Sequence, residues 1–214
     1  MLRQLCYGLF LVGVCNLNAQ EIAVTERGDS VMLHANGTWD FLSNLGENAF
    51  AETTIEENET PYKKDEDAKA EAKGLGDAYR VYYDNEKWKR ISPGELNDEA
   101  DLTWSYKKGD AYAMVIFEEI EINPEDLSQI AFDNARELSE GLEMIKREYR
   151  TVNGKTVVFM EMAGNLGGIN ATYYSYYYSD QNGSLQFHTF TGTAVIGKYR
   201  ERFDQMLNGL IIPE

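Results

Sequence analysis

Cysteine and histidine are almost missing from this chain. Of its 214 residues, the two cysteines, Cys6 and Cys15, fall in the first 20, and the histidines are His34 and His188 alone. A disulfide framework, thiol chemistry and a cysteine zinc site are therefore excluded beyond residue 20, and a site of three or more histidines is excluded throughout. Positive charge is also short: 20 Lys and Arg stand against 36 Asp and Glu, for a net −16. Nucleic acid and anionic membrane surfaces, both polyanions, are excluded as general partners. Long apolar runs are missing too. The longest, Leu5 to Cys15, is well under the roughly 20 residues a helix needs to cross a bilayer.

That run nonetheless has a reading of its own. Arg3 precedes it, the polar Asn16 follows it, and the small Ala19 precedes Gln20. Residues 1–19 read as a secretory signal peptide, so the protein is expected to be exported, periplasmic or secreted, without a transmembrane segment. Cys15 raises the question of a lipoprotein anchor, but Val14 stands where a small residue is usual, so lipid anchoring is disfavoured.

Composition divides the remainder in three. Residues 20–45 alternate apolar and polar around Gly28-Asp29 and Asn36-Gly37, the pattern of a small three-stranded β-meander. Arg27-Gly28-Asp29 reads as a hairpin turn rather than a cell-adhesion ligand. The stretch 46–75 holds nine acids and four lysines in residues 46–74 with few apolar side chains, and reads as a solvated acidic linker. Its spacing lacks the glycine turn and closing glutamate of an EF-hand loop.

Residues 76–214 read as one α+β domain. Strands are expected at 78–83, 88–91, 102–107 and 112–120. A helix should start at Asn123-Pro124-Glu125-Asp126, with Asn as cap, Pro in the first turn and acids at the positive end of the dipole. It carries Leu127, Ile130, Ala131 and Leu138 on one stripe and stops near Gly141. Two hairpins follow, 143–152 with 156–163 around Asn153-Gly154 and 171–179 with 185–191 around Asn182-Gly183; such pairs tolerate the positive φ of tight turns. A last helix, 197–208, ends at Asn208-Gly209. Packing the stripe of each helix on the strands predicts an antiparallel sheet flanked by helices, an α/β/α sandwich.

This order of elements, the helix after Asn123-Pro124, the hairpin YYSYYYSDQNGSLQFHTFTG at 173–192 and the closing FDQMLNGL at 203–210 resemble the PsbP-like or Mog-like superfamily, and within it the DcrB-like exported proteins. The resemblance covers about two thirds of the chain and leaves the meander outside it. It implies a non-catalytic accessory or assembly role with an envelope protein as partner, and no cofactor.

The residues themselves offer little chemistry. No serine sits in a nucleophile elbow, and no glycine-rich loop opens a helix as a phosphate cradle does, so no catalytic, cofactor or metal residue is assigned. Glu119 and Glu121 share a side if the strand runs through them, but an acidic strand end is the plainer reading. The unusual feature is the run Tyr173, Tyr174, Tyr176, Tyr177, Tyr178. Alternation puts Tyr174, Tyr176 and Tyr178 on one face and Tyr173 and Tyr177 on the other. His188 falls with Gln186 and Phe190 on the more polar side of its strand. Tyr174, Tyr176 and Tyr178 are either core, each hydroxyl finding a polar partner, or an exposed aromatic platform that binds a partner together with His188. A hydrolase or ligand-binding enzyme using carboxylates and His188 is the alternative. The Asn-x-Ser/Thr triplets at Asn36, Asn58, Asn170 and Asn182 bear on function only in a host that glycosylates.

Overall fold

The computed structural model describes residues 21–25, 30–33, 38–41, 55–139, 141–166 and 168–213. The signal-peptide reading, Arg27-Gly28-Asp29, His34 and Asn36 lie outside them. The chain divides into two compact units, residues 1–49 and 50–214. In the first, β1 (Glu21–Val24), β2 (Ser30–Leu33) and β3 (Trp39–Phe41) pair antiparallel in chain order.

The second unit begins where the sequence reads as linker. Residues 56–62 form β4 (Glu56–Tyr62) and 70–73 form β5 (Ala70–Lys73). The correction has a physical cause. An edge strand meets a neighbour on one side only, so it carries acids and Pro61 without loss, and charge there blocks pairing with another chain. In β4 only Asn58 and Tyr62 turn inward. In β5 the small Ala72 is the buried residue, where the composition alone looks helical.

The elements that follow are β6 (Arg80–Tyr83), β7 (Trp88–Arg90), β8 (Leu102–Tyr106), β9 (Ala111–Glu118), helix α1 (Pro124–Glu137), β10 (Glu143–Val152), β11 (Lys155–Leu166), β12 (Ile169–Asp180) and β13 (Gly183–Gly192). A 3-10 turn (Thr193–Lys198), helix α2 (Arg200–Leu207) and β14 (Leu210–Ile211) close the chain. The Asn123 carboxamide accepts from the Glu125 N–H at 2.9 Å and starts α1 as the sequence predicts.

Eight strands form one sheet in the order β4-β10-β11-β12-β13-β9-β8-β7, and β14-β6-β5 form another of three. The large sheet is antiparallel except at its edge, where β4 runs parallel to β10, so the sheet is mixed rather than wholly antiparallel. Successive residues of a strand face opposite sides. Arg147 of β10 reaches α1, and Arg150 reaches α2, which places the two helices on opposite faces. The main core lies on the α2 face. There Trp104, Val115, Phe159, Tyr176 and Phe187 of the large sheet meet Phe203, Met206 and Leu207 of α2 and Tyr79 and Val81 from around β6. This layer is part helix and part sheet, where the sequence predicts helices alone. Among the described residues no helix is long and apolar enough to cross a membrane.

Candidate functional site

The tyrosine run sits on the central strand β12, and the structure separates it by parity. Tyr174 and Tyr176 are buried on the α2 face, 6% and 0% exposed, and Tyr178 is half-buried on the same side. Each hydroxyl is engaged: Tyr174 accepts from the Arg200 guanidinium, Tyr176 donates to Asn208 Oδ1 at 2.8 Å, and Tyr178 donates to Asp180 Oδ2 at 3.1 Å. Tyr174 and Tyr176 are therefore core and not an accessible platform, and Tyr178 packs half-buried against that core. The reason is that α2 and the small sheet cover their face, leaving phenol oxygens to find partners inside.

The hydroxyls lead into a buried polar network. Arg150 donates from Nε to Glu148 Oε1 at 2.7 Å and from Nη1 to Asp204 Oδ1 at 3.2 Å, and its guanidinium lies 3.5 Å from the centroid of Phe159. Asn58 and Lys146 also hold Glu148, at 3.1 and 2.8 Å. Burial raises the Glu148 carboxyl, but these three donors outweigh it and leave its pKa below the usual carboxylate value. A second pair, Arg200 with Glu161 at 2.8 Å, joins α2 to β11.

His188 lies on the opposite face, buried beside Tyr173 and Tyr177 and not with the other three proposed residues. Its Nδ1 is 2.8 Å from Ser175 Oγ, and burial pushes its pKa down to about 4. Ser175 is itself fully buried, so this pair is closed to a substrate. It does have a pH consequence. A neutral histidine in the folded state and a titrating one in the unfolded state lose stability as pH falls from about 6.5 towards 4, reaching about 3 kcal/mol. Glu148, with its depressed pKa, adds to the acid side; Glu118, Asp126 and Asp204, whose carboxyls burial raises, act in the opposite sense. Urea midpoints measured at pH 7 and pH 4.5 should separate for the native chain. For His188→Gln the separation should shrink, and an unchanged separation would remove His188 as its source.

The accessible apolar surface is on this second face, and the sequence reading missed it. Tyr112, Phe190 and Tyr173 stand in register on β9, β13 and β12, with their rings stacked at centroid distances of 5.5 and 4.9 Å. All three are half-buried, as are Met114 and Ile116 beside them. Helix α1 makes its main contacts with β11 and β12 rather than with β9 and β13. Ile169, on the same face of β12 as Tyr173, is 67% exposed; Leu138 at the end of α1 and Ile145 at a bulge in β10 are 65% and 53% exposed. The stacked rings turn their faces to one another, which leaves edges for solvent and gives no flat platform for a sugar. Half of this was legible: alternation groups Phe190 with His188 and Tyr173 opposite Tyr174.

Carboxylates do not converge. Strand β9 ends at Glu118, so Glu119 and Glu121 do not share a strand face, and no cluster suited to a metal ion occurs among the described residues.

No family model matches the sequence, and no curated protein aligns with it. Solved structures do match. Cyanobacterial PsbP (CyanoP) from Synechocystis sp. PCC 6803 superposes with a TM-score of 0.51 at 16% identity, over 67% of this chain and 92% of that one. LpqN of Mycobacterium tuberculosis, described as involved in cell envelope biogenesis, gives 0.49 at 13% identity, over 64% and 83%. The larger unit has the PsbP-like fold that its element order resembles.

Proposed function

We propose that this chain is an exported, non-catalytic accessory protein that docks an envelope protein partner on the apolar face of Tyr112, Phe190 and Tyr173. The observation that carries the reading is the asymmetry of the large sheet. One face is sealed by α2 and the small sheet, while the other keeps a stacked aromatic row and the exposed Ile169. A clustered apolar surface on an otherwise highly charged protein marks an interaction site. The charge indicates the partner: against a net −16, an apolar ridge set among basic side chains is complementary. Export is supported by the leader-like residues 1–19, and the accessory role is the one implied by the fold resemblance, which is analogy and not mechanism.

The test is cross-linking of the mature chain in envelope extract at low and high salt, with Tyr112→Ser/Phe190→Ser as the paired bait. A partner held by the native face should be lost from the variant and weakened by salt, while the variant keeps its native circular dichroism and thermal transition. Equal capture by both baits would sink the reading.

A further inference from the structure

Three of the chain's Asn-Gly pairs lie in the described residues, and the structure treats them very differently. The Asn153 carboxamide is pinned at both ends: Nδ2 donates to the carbonyls of Asn208 and Leu210, both at 2.8 Å, and Oδ1 accepts from Lys64 N–H at 2.9 Å. Asn208 accepts from the Tyr176 hydroxyl at 2.8 Å, and Gly209 N–H donates to Met206 at 3.1 Å. Asn182 is exposed in the turn between β12 and β13, and its carboxamide makes no hydrogen bond; only its backbone N–H is used, donating to Asp180 Oδ1 at 2.8 Å.

From this contrast we infer that Asn182-Gly183 is a self-modification site, where the backbone itself converts Asn182 to aspartate and isoaspartate. The Gly183 nitrogen attacks Asn182 Cγ and forms an N–Cγ bond. The Cγ–Nδ2 bond breaks, and ammonia leaves carrying the proton from Gly183 N–H. Water then opens the five-membered succinimide at either carbonyl. Gly183 carries no side chain beside its nitrogen, although it packs closely against the Glu118 carbonyl and the Phe117 ring, and the Asn182 carboxamide is held by no hydrogen bond; the reaction needs both the bare glycine and the free carboxamide. Asn153 and Asn208 react only when local opening frees their side chains.

The position matters because the next residue is a latch. Ser184 Oγ accepts from Ile122 N–H at 2.9 Å and donates to the Ile120 carbonyl at 2.6 Å, and Ser179 Oγ accepts from the same Ile122 N–H at 3.2 Å. This pair holds the lead into α1, the helix that borders the apolar face. Isoaspartate at 182 inserts a carbon into the backbone of the turn that closes on Gly183 opposite Asp180. The latch must shift with it.

The experiment ages the purified mature chain at pH 8 and 37 °C and follows each Asn-Gly peptide by mass, with isoaspartyl methyltransferase labelling to score isoaspartate. Gain of one mass unit at Asn182 should run at least about tenfold faster than at Asn153 or Asn208, because the pinned pairs wait on local opening. Hydrogen exchange at 120–126 should rise in the aged chain and stay unchanged in aged Asn182→Gln, whose longer side chain closes a ring slowly. Comparable rates at the three pairs, or an intact Asn182, would overturn the inference. A modified Asn182 with unchanged exchange at 120–126 would overturn the latch.

Discussion

Arg150→Ala should cost about 3–5 kcal/mol of stability, the range for removing one partner of a buried ion pair. The guanidinium joins four elements at once: Glu148 on its own strand β10, Asp204 on α2, Tyr176 on β12, and the ring of Tyr62 on β4, 4.7 Å away. Its loss leaves Glu148, 4% exposed, facing Lys146 and Asn58 as its remaining donors, and strips the ring face of Phe159. Most of the cost is thus a buried carboxylate left with fewer donors, and not the pair's own worth. The double variant Arg150→Met/Glu148→Leu removes that penalty and should recover most of the loss. Urea unfolding checks both. A single variant within about 1 kcal/mol of the native chain, the size of an exposed pair, would show that solvent reaches the network.

A chain starting at Leu75 should fail to fold to a soluble monomer, a larger effect. Composition makes residue 75 look like a safe boundary behind a linker, yet cutting there removes β4 and β5 together. Strand β10 then becomes an edge with unpaired backbone groups, and such an edge pairs with whatever strand it meets. Asn58 and Tyr62 leave the Arg150 network, and Val81 loses Ala72, its neighbour in the small sheet. A chain starting at Phe50 keeps every strand of the larger unit. Size-exclusion and circular dichroism of the two chains compare them directly. A monomeric, cooperatively melting chain from Leu75 would mean that β4 and β5 are dispensable.

The two boundaries show where reading residues along the chain succeeds and where it stops. The start of helix α1 was legible because its signals are local: Asn123 caps and Pro124 follows. Its inward stripe was not: Leu127, Ser128 and Phe132 are buried, Ile130 and Ala131 are half-buried, and Leu138, just past the last turn, is exposed. The hairpins at Asn153-Gly154 and Asn182-Gly183 were legible from local signals as well, since turn chemistry acts over two to four residues. Strand β4 was not, because its pairing partner β10 lies about ninety residues away, as the Asn58 to Glu148 hydrogen bond spans. Nothing in EENETPY announces a partner at that distance, and an edge position removes the apolar alternation that marks inner strands.

The candidate site divides in the same way. By itself the sequence determined the main strands from residue 78 onward, the parity that splits the tyrosine run, the acidic charge that excludes polyanions, and the lack of thiol and multi-histidine chemistry. These follow from residue type and from a period of two, and neither depends on what packs where. Only the tertiary structure decided which tyrosine row is core. Tyr174 and Tyr176 look no different from Tyr173 in sequence, but α2 and the small sheet cover one face of the large sheet, while α1 covers only part of the other. Which face a helix covers is set by where the chain crosses the sheet and by the contacts of Arg150, Asp204 and Arg200 across it. That information is spread over elements far apart in the chain and exists only once they meet.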